Sequence, residues 1–173
     1  MHDLESTIIP LDDAHELLGT FGIGPYSKGY QRARRDDGLR QIDLEGVLDE
    51  SGLVFAMDWR GWLKENIDII IEQLGKLDIS ATASLDKDGN QGKFHLDGRS
   101  AVIKFIPADE DNFDDVMVAI NRLIGNKAHY KKFRSCEGSD GWVYALLKNE
   151  DWNSLHSSVP QALGLVFKDV IFS

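Results

Sequence analysis

The sequence predicts an α+β fold: a mostly antiparallel sheet with two main amphipathic helices packed on it. Three observations predict it. Apolar residues recur at helical spacing over residues 59–74 and again over 112–124, while the stretch from 77 to 106 alternates apolar and polar residues around clusters of turn formers. A chain of 173 residues, 42% hydrophobic and 28% charged, fits a single domain spanning 1–173 with the composition of a globular protein. Such a chain buries roughly 70% of its unfolded surface and needs no disulfide or metal to fold.

The elements follow in order. Residues 12–18 predict a short helix stopped by Gly19, and residues 20–38 a long loop. Residues 39–48 and 53–58 resemble a hairpin around Asp49-Glu50-Ser51-Gly52. In 59–74, Trp59, Trp62, Leu63, Ile67, Ile70, Ile71 and Leu74 form one stripe, which assigns both tryptophans to the core. Asp58 can cap this helix and Gly75 can end it. Leu77, Ile79, Ala81, Ala83 and Leu85 then alternate with polar residues as a strand, a turn follows at 86–92, and strands resume at 93–96 and 101–106. The second helix shows Phe113, Val116, Met117, Ile120, Leu123 and Ile124, stopped by Gly125. Further strands are expected at 129–135 and 142–148, and a short helix from Asn149. The apolar tail 163–172 reads equally as a strand or a docked helix.

Charge is the strongest compositional signal. Twenty-nine acidic residues against nineteen basic ones give a net charge of −10. Such a chain repels nucleic acid and anionic membrane at long range and attracts cationic partners. The longest aliphatic run, Ile69-Ile70-Ile71, is far short of the ~20 residues that cross a bilayer. The start, Met1-His2-Asp3-Leu4-Glu5, lacks the basic and apolar regions of a signal peptide, and Cys136 is alone, so a cytoplasmic location is expected.

Motifs for chemistry are approached and missed. Asp86, Asp88, Asn90 and Asp97 have the rhythm of a calcium loop, but the sixth position is Gln91 and the flanks read as strands. Gly19, Gly22, Gly24 and Gly29 surround Ser27-Lys28 without the Gly-Lys-Ser/Thr order of a phosphate loop. Gly138-Ser139-Asp140-Gly141 is one residue short of a nucleophile elbow. The five histidines, at 2, 15, 95, 129 and 156, show no metal-ligand spacing. No catalytic residue, metal site or cofactor is therefore assigned, and the chain is read as a non-enzyme.

Two basic groups interleave with aromatics: Lys28, Arg32, Arg34, Arg35 and Arg40 with Tyr26 and Tyr30, and Lys127, Lys131, Lys132 and Arg134 with Tyr130 and Phe133. Direct nucleic-acid binding by them is disfavoured by the net charge of −10. The densest charge is acidic: Asp109, Glu110, Asp111, Asp114 and Asp115, five carboxylates in seven residues at the start of the second helix. One or two of them satisfy free helix N–H groups, leaving the others for a surface patch that Glu137 and Asp140 could extend.

In size, charge, the run Asp109-Glu110-Asp111-Asn112-Phe113-Asp114-Asp115 and the missing catalytic residues, the chain resembles immunity proteins of bacterial contact-dependent and other polymorphic toxin systems. The resemblance is one of profile, with no motif whose residues transfer one by one. It implies protein–protein contact with a cognate basic toxin, often a nuclease, and no membrane partner. Two alternatives stay open: a hydrolase or transferase using His129, Cys136 or the glycine-rich segment, and a nucleic-acid adaptor using the strand from Lys127 to Arg134.

Overall fold

A computed structural model describes residues 7–172; the acidic start at residues 1–5 lies outside them. The chain folds as α+β, in the order β1 (Ile8–Ile9), α1 (Leu11–Thr20), α2 (Lys28–Ala33), β2 (Leu39–Arg40), α3 (Gln41–Leu48) and β3 (Val54–Asp58). There follow α4 (Leu63–Lys76), β4 (Ala81–Leu85), β5 (Gln91–Leu96), β6 (Arg99–Lys104) and α5 (Phe113–Ile124). The last elements are β7 (Ala128–Phe133), β8 (Gly141–Lys148), α6 (Asn149–Ser158), α7 (Pro160–Val166) and β9 (Phe167–Asp169).

The centre is an antiparallel sheet in the order β3-β8-β7-β9, with both faces covered. Successive residues point to opposite faces, so each strand feeds two cores. Phe55, Met57, Tyr130, Tyr144 and Leu146 face one core, shared with α4, α5 and the hairpin sheet β4-β5-β6. Val54, Phe133, Ala145, Leu147 and Phe167 face the other, closed by α1, α3, α6 and α7. Double burial explains why β8 reads as a nearly continuous apolar run.

Several expectations needed correction. Residues 41–48 form a helix rather than a strand: Gln41, Leu44, Glu45 and Leu48, spaced by three and four, are all buried, whereas Ile42 is exposed. The loop at 20–38 contains α2, whose first turn is capped by the Ser27 hydroxyl accepting from Tyr30 N–H at 3.1 Å. Residues 77–80 form a turn, with Leu77 N–H bonded to the Leu74 carbonyl, and the strand starts only at Ala81. The tail takes both expected forms, α7 and then β9. The second helix stands as read: the Asn112 side chain accepts from Asp114 N–H, and Gly125 ends it at a φ of 65°.

The helix α4 starts four residues later than its apolar stripe over residues 59–74 implies. Asp58 does not cap it; its carboxylate accepts Arg60 N–H at 2.8 Å and its carbonyl accepts Gly61 N–H at 2.8 Å. That turn uses residues 58–61, and the helix begins at Leu63.

Candidate functional site

Three chain segments meet at one end of the central sheet. β3 ends at Asp58, directly opposite Gly141 at the start of β8. One step beyond, Trp59 N–H donates to the Asp140 carbonyl at 3.0 Å, and the Trp59 carbonyl accepts Ala108 N–H at 3.0 Å. The main chain of Trp59 thus sits between the loop before β8 and the loop before α5. Below, Phe105 packs edge-on against both Phe113 and Trp142, at centroid distances of 5.3 and 5.8 Å. These rings fix the roots of the loops. Ala108 adopts a left-handed φ of 59°, a strained conformation for a residue with a Cβ.

The acidic residues divide here. Asp109 and Glu110 are exposed, with the Asp109 carboxylate accepting Glu110 N–H at 2.9 Å. Asp111 is half-buried: one oxygen accepts Ile106 N–H at 2.9 Å, and Lys104 Nζ lies 3.7 Å from the other. Asp140 is exposed and joins this end through its carbonyl. Asp115 is half-buried in the first turn of α5.

Two residues expected in the patch are held by cations of their own, and only one of them is buried. Asp114 is buried: Lys132 Nζ lies 2.7 Å from one carboxylate oxygen and the Tyr144 hydroxyl donates to the other at 2.6 Å. It turns inward because the first turn of α5 lies over the sheet, where a lone Lys132 would be costly to bury. Glu137 pairs with Lys168 at 2.5 Å, and that ammonium holds its carboxyl below the usual range. Glu137 stays exposed in that pair, on the β9 side.

Of the tryptophans assigned to the core, Trp59 belongs to this end, and Trp62 lies exposed three residues further along. Trp62, just ahead of α4, is 52% exposed. Trp59 is half-buried, with the Arg60 guanidinium 5.0 Å from its ring centroid. Gly61 was the available signal: a poor helix former inside the stripe marks a turn, and it frees Trp62 from the core face.

The other candidates are not brought together. Cys136 is buried, its thiol donates to the Phe133 carbonyl at 2.9 Å, and burial pushes its pKa up, the reverse of an activated nucleophile. A cleft of about 360 Å³ between α6 and β7 gathers His129, His156, Lys131 and Asp169, but Cys136 does not line it. Burial, and then Lys131, lower the His129 pKa, and Lys131 is paired with Asp169.

Asp86 Oδ1 accepts Asn90 N–H and Asp97 binds Lys127, so both serve as turn and pairing residues. Among the described residues, no group of three or more His, Cys, Asp and Glu is placed to hold a metal ion. The glycine-rich segment forms the connection between α1 and α2. The basic strand is split between faces and partners: Lys127, Lys131 and Lys132 each pair with an aspartate, and Arg134 donates to the Gly164 carbonyl. No helix among the described residues is long and apolar enough to cross a membrane.

Comparison with protein-family models, curated proteins and solved structures gave no match.

Proposed function

We propose that the chain is a binding protein for a basic protein partner, in its sharpest form an immunity protein that neutralises a cognate toxin such as a nuclease. The observation that carries this reading is the backbone bridge from Asp140 through Trp59 to Ala108. It brings the exposed Asp109, Glu110 and Asp140 onto one backbone frame, with the exposed Trp62 three residues after the bridging Trp59. An acidic surface on a chain of net charge −10 accelerates capture of a cationic cleft and competes with the phosphates such a cleft holds. Residence time then depends on a desolvated anchor, and tryptophan is favoured in that role. The inhibitor blocks by occupancy and requires no reaction of its own.

The test reverses three exposed charges: Asp109→Lys, Glu110→Lys and Asp140→Lys together. Basic protein retained from the cell that makes this chain is identified by mass, then produced and assayed with it. The wild type is expected to protect cells expressing that protein. The triple variant should associate at least tenfold more slowly at low salt and lose most of the salt dependence. Equal association rates for the two proteins, or no protection by the wild type, would overturn the reading.

A further inference from the structure

Trp62, three residues after the bridging Trp59, opens a groove of about 400 Å³ between α4 and the β4–β5 hairpin. Its apolar surface is Trp62, Ile67, Ile71, Ala83 and Leu85. Ile67 is buried; Ile71, Ala83 and Leu85 are half-buried at the edge of the core, leaving part of each open to the groove. The far wall is held in place. Asp86 and Gln91 close the hairpin by a 2.8 Å backbone bond, and Gly89, at a φ of 71°, lies against α4, where a Cβ would meet Lys64 Cβ at an ordinary 3.4 Å contact.

The rim carries Glu65, Asp68, Asp86 and Asp88 against Lys64 and Lys87, four negative charges to two positive. None of the six is ion-paired with another described residue. Small-molecule pockets are mostly apolar with a few polar groups. Here six of the twelve lining residues are charged, which suits a peptide bearing its own countercharges. From Trp62 to Ile71 the groove runs about 13.5 Å at ~1.5 Å per residue, enough for side chains at i, i+4 and i+7 of a second helix, which span ~10.5 Å.

We propose that this groove takes a cationic amphipathic helix of the protein partner, with aliphatic anchors on the floor and Lys or Arg against Glu65, Asp68, Asp86 and Asp88. The proposal rests on the reading of the chain as a binder of a basic protein and adds to it a second contact, which sets residence time rather than capture rate.

The probe is a synthetic helical peptide with leucines along one face and lysines and arginines along the other, titrated into the isotope-labelled full chain. Expected are amide shift changes concentrated at residues 62–71 and 83–89. A peptide with leucine replaced by serine at equal charge should bind at least tenfold more weakly, as should the parent peptide to Ile71→Arg. Where circular dichroism shows Ile71→Arg unfolded, the exposed pair Glu65→Lys and Asp68→Lys replaces it, with the same tenfold loss expected.

Shift changes lying elsewhere, or equal binding of the serine peptide, would overturn the groove. The acidic-end triple variant should bind the peptide at the same residues as the wild type. Peptide binding in the groove, with no basic protein captured by the wild type, would sink the functional reading and leave the groove standing. Capture of a basic protein with undiminished affinity by the groove variants would do the reverse.

Discussion

Lys132 Nζ lies 2.7 Å from the carboxylate of Asp114, and together they tie the first turn of α5 to the central sheet. Tyr144, directly across from Lys132 on β8, donates to the same carboxylate at 2.6 Å. All three are buried, so each charge depends on the other. Asp114→Ala should cost about 3–5 kcal/mol in urea unfolding, because it strands an ammonium inside the protein. The double change Asp114→Leu with Lys132→Met should recover most of that loss, since a well-packed apolar pair often matches a buried ion pair. A cost under about 1 kcal/mol for Asp114→Ala would mean that water reaches Lys132.

Glu45 gives the fold a pH dependence. Its Oε1 and the Oε1 of Gln41, one turn earlier on α3, are both buried, and among the described residues neither oxygen meets a donor in good hydrogen-bond geometry. A proton on Glu45 turns one acceptor into a donor. Burial raises its pKa from 4.5 to about 7, against the opposing effects of Ser135 and Gln41. The folded state therefore holds a proton that the unfolded state has released. The stabilisation is complete below about pH 4.5 and is lost as pH rises through about 7. That span corresponds to roughly 3 kcal/mol at ~1.36 kcal/mol per pH unit. His129, held below its ordinary value by burial, acts in the opposite sense at the acidic side of this window. Comparing Glu45→Gln with the wild type removes that contribution. Between about pH 4.5 and 7 the variant should lack the Glu45-linked fall in stability, and it should be the more stable protein at the upper end. Parallel profiles would show that Glu45 stays ionised in the fold.

Ala108 is expected to be more stable as glycine. Its φ of 59° is unfavourable for a residue with a Cβ, yet its N–H bond to Trp59 holds it there. Ala108→Gly removes that strain at the cost of a more flexible unfolded chain, for a net gain of about 0.5–1 kcal/mol. A thermal melt reads the gain, and an unchanged or lowered midpoint would count against strain at this loop.

The parts legible in the sequence are those governed by local periodicity. The helix ending at Gly125 and the β4–β5 turn are read correctly because cap, stripe and turn residues agree. The misreadings have local causes too. Ile42-Asp43-Leu44-Glu45 alternates like a strand, and its helical character rests on Gln41 and Glu45 being buried, which polarity argues against. The pairing of β3 with β8 joins Val54 to Ala145 across most of the chain, and no local pattern encodes it. The patch suffers from the same limit. Asp109 and Asp114 look alike in sequence, and only the sheet packed beneath α5 makes one exposed and the other buried.

Trp62 tests that distinction from the other side. The apolar stripe places it in the core, whereas the turn at residues 58–61 leaves it 52% exposed ahead of α4. Trp142 and Trp152 are packed among other rings, at 5.8 Å from Phe105 and 5.2 Å from Phe167, and Trp59 is half-buried. Trp62 should therefore supply most of the fluorescence that iodide quenches, and Trp62→Phe should remove that fraction. Trp62→Ala should change stability by no more than about 0.5 kcal/mol, as an exposed substitution does. Trp142→Ala, which empties part of the Phe105–Phe113 cluster, should cost about 3–5 kcal/mol. Should the two alanine variants prove equally destabilised, Trp62 would be a core residue, and the proposed anchor would be lost with it.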